Sequence, residues 1–243
     1  MFQQFIDRLT AYERPQVFNP WQEYDERCDI DTLAPQVRLD QLIRYLRPRL
    51  ETAHTLLIAE AAGYQGCRFS GIPMTCERML LDKHKQVRPA MIIEGPAQRT
   101  SRPDCPYFKQ STQQTGGLNE PTDTYVWGAV LDNGLNPNEV LLWNIFPFHP
   151  HKGTPFTNRT PVPAELADGL TFAKELLALC RRSPSLVAIG RKSADTLTAA
   201  GLAPAAVVRH PANGGASAFR QGFAEYLANR HSIKKTGDMH ESM

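Results

Sequence analysis

Apolar positions along this chain follow two rhythms that take turns. Leu39, Leu42, Ile43, Leu46 and Leu50 fall three and four apart, the spacing of one helix face. Next comes "HTLLIAEAAG", an unbroken apolar block that ends at Glu60 and reads as a buried strand. "EVLLWNIFPFHPH" (139–151) reads as a second one. "NRTPVPAELADGLTFAKELLALC" is a proline-started helix with Leu166, Leu170, Ala173 and Leu177 on one face. "SLVAIGRKSADTL" reads as strand, glycine turn and helix, and "AAVVRHPANGGASAFRQGFAEYL" repeats that order with its turn at His210–Gly215. Alternation of this kind predicts an α/β fold with a parallel sheet covered on both faces.

Three stretches lack the rhythm. Residues 1–33 hold a short amphipathic start and an irregular segment with aromatic anchors. Residues 76–124 mix charges, prolines and glycines; between Cys76 and Lys109 stand seven Lys/Arg and four Asp/Glu. This stretch is expected to be a long excursion or lid, its cations a solvated face or a DNA-backbone contact. The end, "HSIKKTGDMHESM", reads as a disordered tail over 231–243. Residues 1–230 are thus expected to form a single domain.

Composition adds limits. The chain has 243 residues, 42% apolar, with a formal charge of +2. That suits one large α/β domain, and it permits nucleic-acid binding without arguing for it. The five cysteines (28, 67, 76, 105, 180) are odd in number and include no C-x-x-C. They read as free thiols, which fits a reducing cytoplasm, and not as a zinc ribbon. No apolar run is long enough for a membrane span, and the start lacks the core of a signal peptide, so a soluble cytoplasmic protein is expected.

In a parallel sheet the site lies beyond the carboxyl ends of the strands. Those ends carry Glu60–Gly63, Asn144–His149, Gly190 and His210–Asn213. No reliable nucleophile is among them: Ser70 lacks a G-x-S-x-G setting, and Cys67 has no basic partner nearby in sequence. A Walker loop and a dinucleotide fingerprint are also missing. His149 and His151 alternate along a strand, but without an acid partner they make a weak metal site, and no metal is expected. A carboxylate with an imidazole suits cleavage of a glycosidic bond, whose transition state is cationic at the sugar and anionic at the departing group. An asparagine amide suits the edge of a base, and glycine turns at helix starts suit phosphates.

Four segments, in order, resemble the uracil-DNA glycosylase superfamily. "AEAAG" is similar to its first motif, "WNIFPFHPHKGTPFTNRTPVPAE" to a stretch of the iron–sulfur branch, "AIGRKSADTL" to that branch's G-x-x-A element, and "RHPANGG" to the H-P-S loop. The resemblance covers roughly residues 50–228. It implies a three-layer α/β/α fold with a central four-stranded parallel sheet. It also implies a monofunctional DNA glycosylase that flips uracil or another modified base out of single- or double-stranded DNA. Glu60 would orient water or stabilise the sugar cation, His210 would stabilise the leaving base, and Asn144 would read the base edge. Ala61 and Gly63 would line the pocket. Arg159, Lys192, Asn213 and Gly214 would contact the DNA backbone. A monomer with no cofactor is expected.

The motifs also depart from the family's. Met74 falls where an aromatic stacks on the flipped base, with Tyr64 or Phe69 as stand-ins. Ala62 and Ala212 replace a proline and a serine. Cys28 and Cys105 do not reproduce the cluster spacing, so no iron–sulfur cluster is expected. After the last motif nothing large appears until Phe219. These departures leave two further readings: a glycosylase for bulky or hypermodified bases, used against foreign DNA, and a non-catalytic nucleic-acid-binding module on the same scaffold.

Overall fold

The computed structural model describes residues 1–240, with side chains described as far as Arg230; the tail expected over 231–243 lies outside these side chains. Helix α1 (Phe2–Thr10) turns Phe5, Ile6 and Leu9 inward, and the two-residue strand β1 (Val17–Phe18) follows. The apolar spacing read at 39–50 lies within α2 (Ala34–Thr52). Strand β2 (Thr55–Ala61) carries the first apolar block. Short helices α3 (Cys67–Ser70), α4 (Glu77–Leu80) and α5 (Ser111–Gly116) lie along the excursion, and α6 (Pro121–Asp132) closes it. The second apolar block divides into β3 (Val140–Phe146) and β4 (His149–Pro150). Pro147 has no N–H for a ladder, and β4 leaves the main sheet to pair antiparallel with β1. The remainder is α7 (Pro163–Leu179), β5 (Ser185–Ile189), α8 (Arg191–Ala199), β6 (Ala206–Val208) and α9 (Ala216–His240).

The main sheet has four strands in the order β3-β2-β5-β6. All three pairings are parallel. Leu56, Leu57 and Ile58 of β2 are fully buried. Since alternate residues point to opposite faces, both faces of the sheet must be covered. This is the three-layer α/β/α architecture expected from the sequence. One edge is closed by α2: the Tyr45 hydroxyl accepts from the Leu142 N–H (2.7 Å) and donates to its carbonyl (3.3 Å), satisfying edge groups that would otherwise be open. Arg49 of the same helix donates to the Val140, Met91 and Ile92 carbonyls.

Through Arg49 the excursion is tied to the sheet. Its first half is part of the core: Met79, Leu80, Val87, Ile92 and Ile93 join the central apolar cluster. Buried Glu77 accepts from the Thr100 and Ser101 N–H groups (2.7 and 2.9 Å) and from the Ser101 hydroxyl. A second, smaller cluster holds Phe69, Phe108 and Leu118 around Cys28 and Cys105. Those two cysteines form a disulfide, with Cα atoms 4.6 Å apart. This corrects the expectation of five free thiols. An antiparallel bridge between Asp29 and Ser101, and the bond from Arg102 N–H to the Cys28 carbonyl (2.7 Å), bring two distant segments side by side. Cys67, Cys76 and Cys180 remain free and buried. Among the described residues no helix is long and apolar enough to cross a membrane.

Two stability outcomes follow from these contacts. Gly169 of α7 lies so close to β3 that an added Cβ would collide with the Ile145 carbonyl oxygen. Gly169→Ala should therefore lower unfolding stability by about 1–3 kcal/mol in a urea titration. The disulfide closes a loop of sequence separation 77; reducing it should cost about 2–4 kcal/mol in the same titration, and Cys28→Ser should reproduce the loss.

Candidate active site

Because the strands run parallel, their carboxyl ends meet on one side of the sheet, where they form the wall of a cavity of about 590 Å³. Strand β2 delivers Glu60, β3 delivers Asn144, the turn after β5 delivers Gly190, and the turn after β6 delivers His210. Ala59 is the register partner of Asn144, so Glu60 and Asn144 emerge almost level on neighbouring strands. Gly190, at φ +88°, lets the turn pass His210, whose Cβ would lie 3.3 Å from an added methyl.

Glu60 sits partly buried, with 23% of its side chain exposed and Lys192 Nζ 3.9 Å from its Oε1. Burial pushes the Glu60 carboxyl above its ordinary value and the Lys192 charge pulls it back. His210 Nδ1 accepts from the Ala212 N–H (3.2 Å). The ring proton of the neutral imidazole therefore belongs on Nε2, leaving that nitrogen as a donor. Burial first, and then Arg209, hold the imidazole pKa below its ordinary value, which favours this neutral form.

Asn144 is 2% exposed, and its Oδ1 is buried with no partner. It shares the cavity with two acids that the sequence reading passed over, Glu120 and Asp123. Glu120 caps α6 and Asp123 stands in its first turn. The signal was available, since Pro121 starts this helix as the prolines near 163 start α7. Thr122, Asn158 and Ser193 are further polar lining groups missed from sequence.

Of the other anticipated residues, Ala61, Gly63, Met74, Arg159, Lys192 and Asn213 line the cavity. Arg159 is not free to reach a phosphate as expected. Its guanidinium makes paired 2.7 Å bonds to Glu165 and also donates to the His151 carbonyl, which commits it to fixing the entry to α7. Phe69 is likewise displaced from the stacking role: it is fully buried in the second apolar cluster. Tyr64 faces an adjoining pocket with Tyr107 and Phe156. Gly214 is exposed and outside the cavity lining, and Phe219 is buried within α9. Met74 alone of the three stacking candidates reaches the wall, in a left-handed conformation at φ +49°.

The cysteines do not fit an iron–sulfur cluster, because Cys28 and Cys105 are bonded to each other. Among the described residues no group of three or more His, Cys, Asp or Glu converges as a metal site, His149 and His151 included. His149 is fully buried with Nε2 bound to the Thr157 carbonyl (2.9 Å), and burial drives its pKa down to about 3.

No protein-family profile matches the sequence, and no curated protein matches it. Among solved structures, the crystal structure of wild-type Pedobacter heparinus SMUG2 is similar, with a TM-score of 0.57 at 14% identity over 97% of both chains. At that identity the likeness is one of fold. SMUG2 is a member of the uracil-DNA glycosylase superfamily, and the chain has that superfamily's type of fold.

The electrostatics of the cavity can be read directly by NMR titration. Glu60 should titrate above an ordinary glutamate, and Lys192→Ala should raise it further, because a favourable charge is removed. His210 should titrate below an ordinary histidine. A Glu60 carboxyl that does not move in Lys192→Ala would show that the two side chains are uncoupled.

Proposed function

We propose that the chain is a monofunctional DNA glycosylase that hydrolyses the N-glycosidic bond of uracil or another modified base flipped out of DNA. The observation that carries this reading is the convergence of Glu60 and a neutral, donor-bearing His210 on one cavity that also holds Asn144. The likeness in fold to a superfamily member supports the scaffold.

In this reading the flipped base enters the cavity and Asn144 bonds its edge. As the C1′–N bond breaks, the electron pair goes to the base and the sugar becomes cationic. The His210 Nε2–H donates to the oxygen on which negative charge collects. The Glu60 carboxylate stabilises the sugar cation and orients a water; the water oxygen bonds to C1′ and its proton passes to the carboxylate or to solvent. Lys192, the lysine of the wall, is engaged with Glu60 and the Thr160 hydroxyl, so water is the nucleophile. Exposed Arg191, Lys192 and Arg209 at the rim supply positive charge for the flanking phosphates. Met74 favours a second reading, a bulkier base, because a flexible thioether adapts to larger outlines than a fixed ring does.

Single-turnover excision on oligonucleotides carrying uracil, hypoxanthine, xanthine or modified cytosine tests this. Glu60→Ala should slow the cut by about 10²–10⁴-fold and His210→Ala by about 10²–10³-fold, with unfolding stability retained. Full activity in both variants would sink the mechanism.

A further inference from the structure

The cavity has two electrical zones. Its rim is basic and exposed, through Arg191, Lys192 and Arg209. Its floor is buried and rich in acceptors. Asp123 is 3% exposed with Oδ2 unpartnered, and Asn144 is 2% exposed with Oδ1 unpartnered. No side chain stands between Asp123 and the loop above it, since a Cβ on Gly66 would lie 2.7 Å from Oδ2. Glu120 Oε2 reaches the same loop, 3.5 Å from the Cβ position of Gly63. Among the described residues neither acid has a cation within ion-pair distance.

An acid in the first turn of a helix ordinarily serves the N-terminal amides. That does not account for Asp123, because α6 has no side-chain cap bond and Oδ2 is left without a donor. A buried acceptor in that state is unfavourable until something donates to it. Burial and the neighbouring Glu120 charge both push the Asp123 carboxyl well above its ordinary value. What enters this cavity must therefore bring the donors.

We propose that Asp123 is a specificity-determining residue whose Oδ2 accepts a hydrogen bond from an exocyclic amino group of the flipped base, so that the cavity selects amino-bearing bases over their oxo counterparts. The class includes N-alkylated adenine and cytosine. Asp123 supplies an acceptor where uracil would present a carbonyl, and two acceptors facing each other repel. This inference rests on the base-excision reading only in that a flipped base is the occupant.

Binding separates the two claims. The probes are single-stranded oligonucleotides with a 2′-fluoro sugar at the test position, which resists cleavage, in matched pairs: cytosine against uracil, and adenine against hypoxanthine. The wild type should bind the amino member of at least one pair about tenfold or more tighter. Asp123→Asn, nearly isosteric and equally able to donate, should bring the members within about threefold of each other. Asp123→Ser provides a second variant if the first melts early. Equal binding within both pairs, a preference for the oxo member, or a preference that survives both substitutions would overturn the proposal. Excision of the ordinary-sugar oligonucleotides, extended to N-alkylated purines, is scored separately. Failure to cut any of them while the binding preference stands would remove the excision reading and leave the recognition intact.

Discussion

Strand β2 is the constraint on which the rest of the molecule depends. It is hydrogen-bonded on both edges, to β3 and β5, and covered on both faces. Such a strand has no solvated side on which to place a polar group. Its first polar side chain past Thr55 is Glu60, at the end of the ladder, where the sheet stops and the cavity begins. The carboxylate is therefore half in the protein and half in the cavity. The covering layers that make β2 buried also desolvate Glu60 and raise its pKa. Parallel pairing then brings Asn144, Gly190 and His210 to the same level without separate devices for each.

The environment works on every ionisable group of the site in the same direction. Burial heads the causes for Glu60, His210, Glu120 and Asp123 alike, and in each case it favours the uncharged form. What differs is the compensation. Glu60 has Lys192 nearby, whereas Asp123 has only a second acid, so the two carboxyls are pushed apart in character. Separated carboxyl environments of that kind mark distinct roles: an ionisable carboxylate at the sugar end, and a donor-seeking acceptor at the base end.

Much of this was legible in the sequence, and the losses have physical causes. Periodicity located the four main strands and the helices after them because their apolar positions face one common core. Glu60, Asn144 and His210 were legible because strand ends in a parallel sheet have a known fate. Phe69 was misplaced because an aromatic in a loop has no periodicity to say which cluster it joins; here the disulfide at Cys28–Cys105 gathers it away from the cavity. Arg159 was misread because its partner, Glu165, lies six residues on across a turn whose geometry no spacing rule fixes. Glu120 and Asp123 were passed over because the excursion was treated as a lid, although its end is a regular helix whose first turn faces the site.

That last error bears on how the site is held. A loop closing over a cavity can move; α6 cannot move far, because Val126, Trp127, Ala129 and Val130 are buried in the main core and the Trp127 indole donates to Thr75 (3.1 Å). Asp123 is therefore as fixed as the strand residues opposite it. A fixed, unpartnered acceptor cannot swing to find water, so its desolvation is a standing cost to the empty protein. The main core is large enough to carry that cost. Fixed placement is also what lets one carboxyl discriminate between an amino and an oxo group, since a mobile one would adapt to either.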